Sequence, residues 1–199
     1  GLVGSEMCIR DRIYTEDKSM KFLNIIFALT LVSSFSLQSA EETFVGDVSM
    51  GDVTHSSAFN YIKNNMLGKW KGELTQESGN VISASYHFKL VSNGNTIREE
   101  LVEDGVEMFT TYSDKDGELV IKHYCALGTQ PMFTVDKLSD DSIVFKSDPS
   151  TGYHSEHHNF VKSISWSFDS DKKETLIMRN SVFIDGELQN NKAVINKVY

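Results

Sequence analysis

From Gly68 to the C-terminus the chain is one short alternating segment after another, with turn residues at close intervals between them. Trp70, Gly72 and Leu74 alternate with Lys69, Lys71 and Glu73, and Ile82, Ala84, Tyr86, Phe88 and Leu90 alternate along Val81–Val91. Successive side chains of a strand point to opposite faces, so a period of two gives each segment one apolar and one wet face. The same reading predicts strands over Thr96–Glu103, Val106–Ser113, the segment around His123, Met132–Leu138, Ser142–Lys146, His158–Asp169, Glu174–Ile184 and Leu188–Tyr199. Asn93-Gly94 and Asp185-Gly186 are hairpin signals, because both residues tolerate positive φ. Asp104-Gly105 and Asp114–Gly117 are further turns, and Asp148–His157 is the one long polar loop. Ten strands with connections this short join antiparallel neighbours. Such a set closes most economically as an all-β, antiparallel up-and-down barrel of about ten strands, with an open sandwich as the competing architecture. Ahead of the strands, Thr54-His55-Ser56 offers helix N-caps, and Phe59, Ile62 and Met66 follow at helical spacing. One short N-terminal helix is therefore predicted from about Ser56 to Met66.

The stretch from Gly117 to Pro131 carries the most chemistry. Leu119, Ile121, His123 and Cys125 share one face, and Glu118, Val120, Lys122 and Tyr124 share the other. The buried face thus ends in an imidazole and a thiol, before Gly128 and Pro131 close the strand.

His-Tyr-Cys-x-x-Gly-x-Gln-Pro, His123 to Pro131, resembles the signature of a family of lipocalin-like β-barrel proteins of unknown function. The likeness extends over Asn95–Met132, through Thr-Ile-Arg-Glu-Glu-Leu and Glu107–Tyr112, and includes the hairpin at Asp185-Gly186. Gly68-Lys69-Trp70, after a short helix, is similar to the lipocalin entry motif. The resemblance implies a calycin-like barrel in exported or bacterial proteins, with no established activity or catalytic residues. The chain departs from the family at Phe160-Val161-Lys162, near where the family tends to carry histidines.

His123 follows Leu119 and Ile121 on the inward face, so its ring enters the barrel and must find a hydrogen-bond partner or meet a desolvation cost of about 1–3 kcal/mol. Its two readings are a structural bridge between strands and a contact to a ligand. Cys125 is either a small buried hydrophobe or part of a His–Cys pair; sequence supplies no third orienting group or oxyanion hole for such a pair. Tyr86, Tyr112 and Asn180 lie on mostly apolar faces, and Glu99 shares its face with Ile97 and Leu101. Sparse polar groups among apolar ones describe a small-molecule cavity as well as a polar core network. The candidate ligand-binding residues are therefore His123, Cys125, Tyr112, Tyr86, Ile121, Leu119, Glu99 and Asn180. Phe160, Ile164, Trp166 and Phe168 alternate along one strand and read as core. Glu99 and Glu100 point to opposite faces and form no acid/base pair.

His154, His157 and His158 with Glu156 are the one cluster of metal-ligand types; they lie in the polar loop with no further ligand at a set spacing, and no metal site is assigned. There is no Walker loop, dinucleotide glycine fingerprint or Gly-x-Ser-x-Gly, and no cofactor is predicted.

Met7-Cys8-Ile9-Arg10-Asp11 reads as a translated transposon-end sequencing adapter, so residues 1–19 are read as adapter and leader. Met20-Lys21, the apolar run Phe22–Val32 and the small-residue zone Ser33–Ala40 form a secretory signal peptide over residues 20–40, too short for a membrane span. Residues 41–53 form a lead-in, and 54–199 the barrel domain. The first forty residues carry four basic and four acidic side chains, so the remainder keeps the net charge of −9. An acidic chain without a basic cluster argues against nucleic acid and anionic membranes. With Cys8 set aside, Cys125 is the remaining cysteine, so stability comes from the core rather than an internal disulfide. The expectation is an exported barrel, periplasmic or secreted, that binds a small apolar or amphipathic ligand without transforming it. The alternatives are an enzyme using His123 on a bound substrate and a solid-core structural or interaction module. A haem-binding barrel, with His123 as the placed histidine, is a special case of the first.

Overall fold

The computed structural model describes residues 54–169 and 172–199. The adapter and leader, the signal peptide and the lead-in expected over residues 1–53 lie outside the described residues.

Helix α1 runs over Ser57–Asn65. Ser56 caps it, its hydroxyl accepting from the Phe59 N–H at 3.1 Å and donating to the Asp114 carboxylate at 2.6 Å. The cap therefore starts the helix and also ties it to the barrel. Phe59, Ile62 and Met66 are buried along one face, as their spacing demands.

Ten strands follow: β1 (Gly68–Thr75), β2 (Val81–Val91), β3 (Thr96–Glu103), β4 (Val106–Lys115), β5 (Glu118–Tyr124), β6 (Met132–Leu138), β7 (Ser142–Ser147), β8 (Phe160–Asp169), β9 (Lys172–Ile184) and β10 (Glu187–Val198). Each pairs antiparallel with its sequence neighbours, and β1 also pairs with β10, so the sheet closes as an up-and-down barrel. The open sandwich is excluded by that closure. Asp104-Gly105, Asp116-Gly117 and Asp185-Gly186 all take positive φ at both residues and make three tight hairpins.

Closure relies on one glycine. At Gly72 the backbone of β10 approaches so closely that a Cβ would lie 2.0 Å from the Val194 carbonyl oxygen. Trp70, one rung away, is buried and donates its indole N–H to the Met66 carbonyl at 2.8 Å, fixing α1 across one end of the barrel.

One expected alternation is broken. Phe160 is buried, but it stacks with Tyr153 and packs on Phe183, away from the interior cluster that contains Val161. The register between β8 and β9 slips between Val161 and Ser163, so Val161 and Ile164 both face inward across a bulge. An extra residue in one strand reverses the side-chain phase beyond it, which is why Phe160 does not share a face with Ile164 and Trp166. Leu90, expected inward, is 39% exposed at the end of β2.

Among the described residues no helix is long and apolar enough to cross a membrane.

Candidate functional site

The strand registers arrange the interior in rungs. Across β2, β3, β4 and β5, Phe88, Glu99, Thr110 and His123 stand opposite one another in turn. One rung toward α1 lie Ile97, Tyr112 and Ile121, and Leu119 is further along the same face. One rung away from α1 are Tyr86, Leu101 and Met108. Glu103, next on the inward face of β3, follows them toward the far end.

The α1 end of the barrel is packed. Phe59, Ile62, Phe133 and Phe145 fill it with Tyr112 and Ile121, each at most 1% exposed. The other end holds a cavity of about 210 Å³, edged by Gln76, the Cys125–Leu127 segment, Ile184 and Gln189. Its walls are Leu101, Met108, Val161, Ile164, Trp166 and Met178, with Tyr86, Glu99, Glu103, Thr110, His123 and Asn180 supplying polar groups. The barrel therefore has two halves: a plug and a pocket.

Of the eight residues singled out in the sequence, His123, Cys125, Tyr86, Glu99 and Asn180 line this cavity. Leu119, Ile121 and Tyr112 face inward but lie on the plugged side, where α1 and the aromatic rings exclude any space. Tyr112 still touches the site through its hydroxyl, which donates to the Glu99 carboxylate at 2.5 Å. Cys125 is half-buried rather than fully buried, because β5 ends at Tyr124 and the chain turns there: the Gly128 N–H bonds the Cys125 carbonyl at 3.0 Å.

The polar groups of the floor stand side by side across β3, β4 and β5. His123 is 5% exposed, and its Nδ1 lies 3.0 Å from the Thr110 hydroxyl. Thr110 stands directly opposite Glu99 on the neighbouring strand. When the Thr110 oxygen accepts from Nδ1–H, the neutral His123 ring carries no proton on Nε2. Burial lowers the His123 pKa from 6.5 to about 4, so the ring is neutral at physiological pH. Glu99, 3% exposed, is pushed from 4.5 up to about 7 by burial, against the opposing hydrogen bond from Tyr112 and with a smaller push from Glu103. Glu103 is raised too, by burial, while it accepts the Tyr86 hydroxyl at 2.8 Å. Burial likewise pushes the Cys125 thiol up, which disfavours a reactive thiolate. The Trp166 indole N–H is buried beside the Tyr112 hydroxyl without the geometry of a formed hydrogen bond.

The seam beside this row is the weakest in the barrel. β5 and β6 are in register only at Ile121–Phe133 and Lys122–Met132. Beyond it the His123 N–H reaches the Pro131 carbonyl at 3.0 Å, and the intervening loop forms part of the cavity edge.

Glu103 and Thr110 escaped the sequence reading. Glu103 was legible: the period that places Ile97, Glu99 and Leu101 inward continues to position 103. Thr110 carries the same inward phase as Tyr112, but a threonine in a strand gives no chemical signal of its own. In the polar loop, His154, His157, His158 and Glu156 do not converge, and no group of three metal-ligating side chains exists among the described residues.

No family model matches the chain, and no curated protein matches it. Among solved structures it is similar in fold to a protein of unknown function from the DUF3598 family of Nostoc punctiforme, with 11% identity and a TM-score of 0.50 over 68% of this chain and 48% of that one. The chain thus spans about half the length of that protein. It aligns more loosely with two designed barrels. The redesigned barrel mFAP1 bound to DFHBI gives 14% identity and a TM-score of 0.35, covering 71% of this chain and 100% of that one. A de novo designed fluorescence-activating β-barrel gives 12% identity and a TM-score of 0.33, covering 69% of this chain and 97% of that one.

Proposed function

We propose that this chain is an exported, lipocalin-like barrel that binds a small apolar or amphipathic ligand in its interior. The observation that carries this reading is the cavity itself: apolar walls with a few convergent polar groups, in one half of an otherwise filled barrel. Its volume of about 210 Å³ exceeds the roughly 150 Å³ that holds a benzene and falls below the roughly 300 Å³ of larger ligand pockets. A substituted single ring fits that size.

Titration with phenylethanol, followed by Trp166 fluorescence and checked by native mass spectrometry, tests the reading. A saturable change with a one-to-one adduct is expected. Absence of saturation, with nothing bound to protein purified from its source, favours the solid-core alternative instead. Export is motivated by the Met20–Ala40 pattern and predicts a mature N-terminus between about Ser36 and Glu42. N-terminal sequencing that finds residues before Met20 overturns it.

One observation favours the enzyme as a second reading. His123 and Glu99 flank Thr110 on adjacent strands while burial moves their pKa values in opposite directions, to about 4 and about 7, as in paired acid–base sites. A change in the mass of a ligand recovered after incubation with wild type, lost in His123→Leu, would establish it.

A further inference from the structure

We infer that the ligand of this cavity is an organic cation, an amine on a small aromatic or aliphatic body, whose ammonium is countered by Glu99 with Glu103 nearer the rim on its way in. The inference rests on the ligand-binding reading above and adds the charge class.

The argument begins with what lines the space. Two carboxyl groups face it, and none of the lining residues is Lys or Arg. The basic side chains of the neighbouring strands are on the outside: Lys89 bonds Glu100 at 2.7 Å, and Arg98 joins the same carboxylate. Alternation explains the split, since Glu99 and Glu100 are adjacent and must face opposite ways. Inside, Glu99 accepts the Tyr112 hydroxyl, and among the described residues no Lys or Arg lines the space beside it. A hydroxyl hydrogen-bonds a carboxylate but does not neutralise it, so once ionised Glu99 is a buried negative charge without a counter-charge among the residues that line the space.

An incoming ammonium supplies the missing charge in a place where water screens little. An incoming carboxylate instead adds a third negative group. The walls favour the same choice: Tyr86 and Trp166 meet edge to face at 5.3 Å, and such rings attract a cation over their faces. His123 does not compete for the role, because a ring held neutral by burial offers Glu99 no charge.

Calorimetric titration of the full chain with phenylethylamine, phenylethanol and phenylpropanoate compares cation, neutral and anion on one ring system. At about pH 8, where Glu99 is ionised, the amine should bind about tenfold tighter than the alcohol or better, and the acid weakest. Glu99→Gln, which keeps the shape of the side chain, should bring amine and alcohol to within about threefold of each other. Lowering the pH of the wild type below about 6 should do the same, and needs no variant. Equal affinity for amine and alcohol, or tightest binding of the acid, overturns the charge assignment and leaves the binding reading standing. If none of the three saturates, both fall.

Discussion

The two buried titrating groups at the cavity floor make a prediction that can be worked through in numbers. One pKa unit corresponds to about 1.4 kcal/mol of differential stabilisation. Glu99 has its carboxyl raised from 4.5 to about 7 in the fold, so the native state holds its proton more tightly than the unfolded chain does. As pH rises from about 4.5 to 7 the unfolded chain loses the proton first, and stability falls by about 3 kcal/mol before levelling off. His123 has its pKa lowered from 6.5 to about 4, so the unfolded chain binds the proton more tightly. Stability from this group is complete above about 6.5 and is lost by about 3 kcal/mol as pH falls toward 4. Between about 4.5 and 6.5 the two slopes are opposite and nearly equal, and the wild type conceals both. Urea unfolding of wild type, Glu99→Gln and His123→Leu across this range separates them. Relative to wild type, Glu99→Gln should gain about 3 kcal/mol in going from pH 4.5 to above 7. His123→Leu should run the other way, losing about 3 kcal/mol relative to wild type in going from pH 4 to 6.5. Groups away from the cavity are common to the three proteins and cancel. Differences that stay flat with pH would refute the assignment of both groups to a dry interior.

Two further outcomes follow from the geometry. Gly72→Ala places a methyl against the Val194 carbonyl where β1 meets β10, and should lower stability by about 3 kcal/mol or more in thermal melts; wild-type melting would show that closure does not depend on that contact. Cys125, half-buried with its thiol pKa raised, should alkylate more slowly than a free thiol, and more slowly again with phenylethanol present. Peptide mass spectrometry reads the rate at Cys125, and fast labelling indifferent to the ligand would place the thiol outside the cavity edge.

The fold was legible because two local signals agreed along most of the chain. Period-two alternation marked the strands, and Asp-Gly pairs marked turns that join neighbours, so number and direction followed without long-range information, while the choice of barrel over sandwich was decided by the pairing of β1 with β10. Legibility failed at Phe160, where the bulge near Val161 reversed the phase; a bulge has no sequence period of its own. The site was legible as a face but not as a depth. His123, Glu99 and Tyr86 were placed inward correctly by alternation, as were Leu119, Ile121 and Tyr112. Which of these meet open space depends on where the plug of Phe59, Ile62, Phe133 and Phe145 ends. That boundary is set by side-chain volumes from distant parts of the chain and is invisible to any single strand.

The claim that the cavity half of the barrel receives a ligand is tested most directly by methionine-methyl NMR. Met108 and Met178 line the cavity, Met66 is buried in the plug under α1, and Met132 is on β6 away from the space. Titrating methyl-labelled protein with phenylethylamine should shift the Met108 and Met178 signals to saturation along one binding curve while Met66 and Met132 stay in place. Unmoved signals at Met108 and Met178, or a saturable shift confined to Met132, would contradict a ligand site inside the barrel.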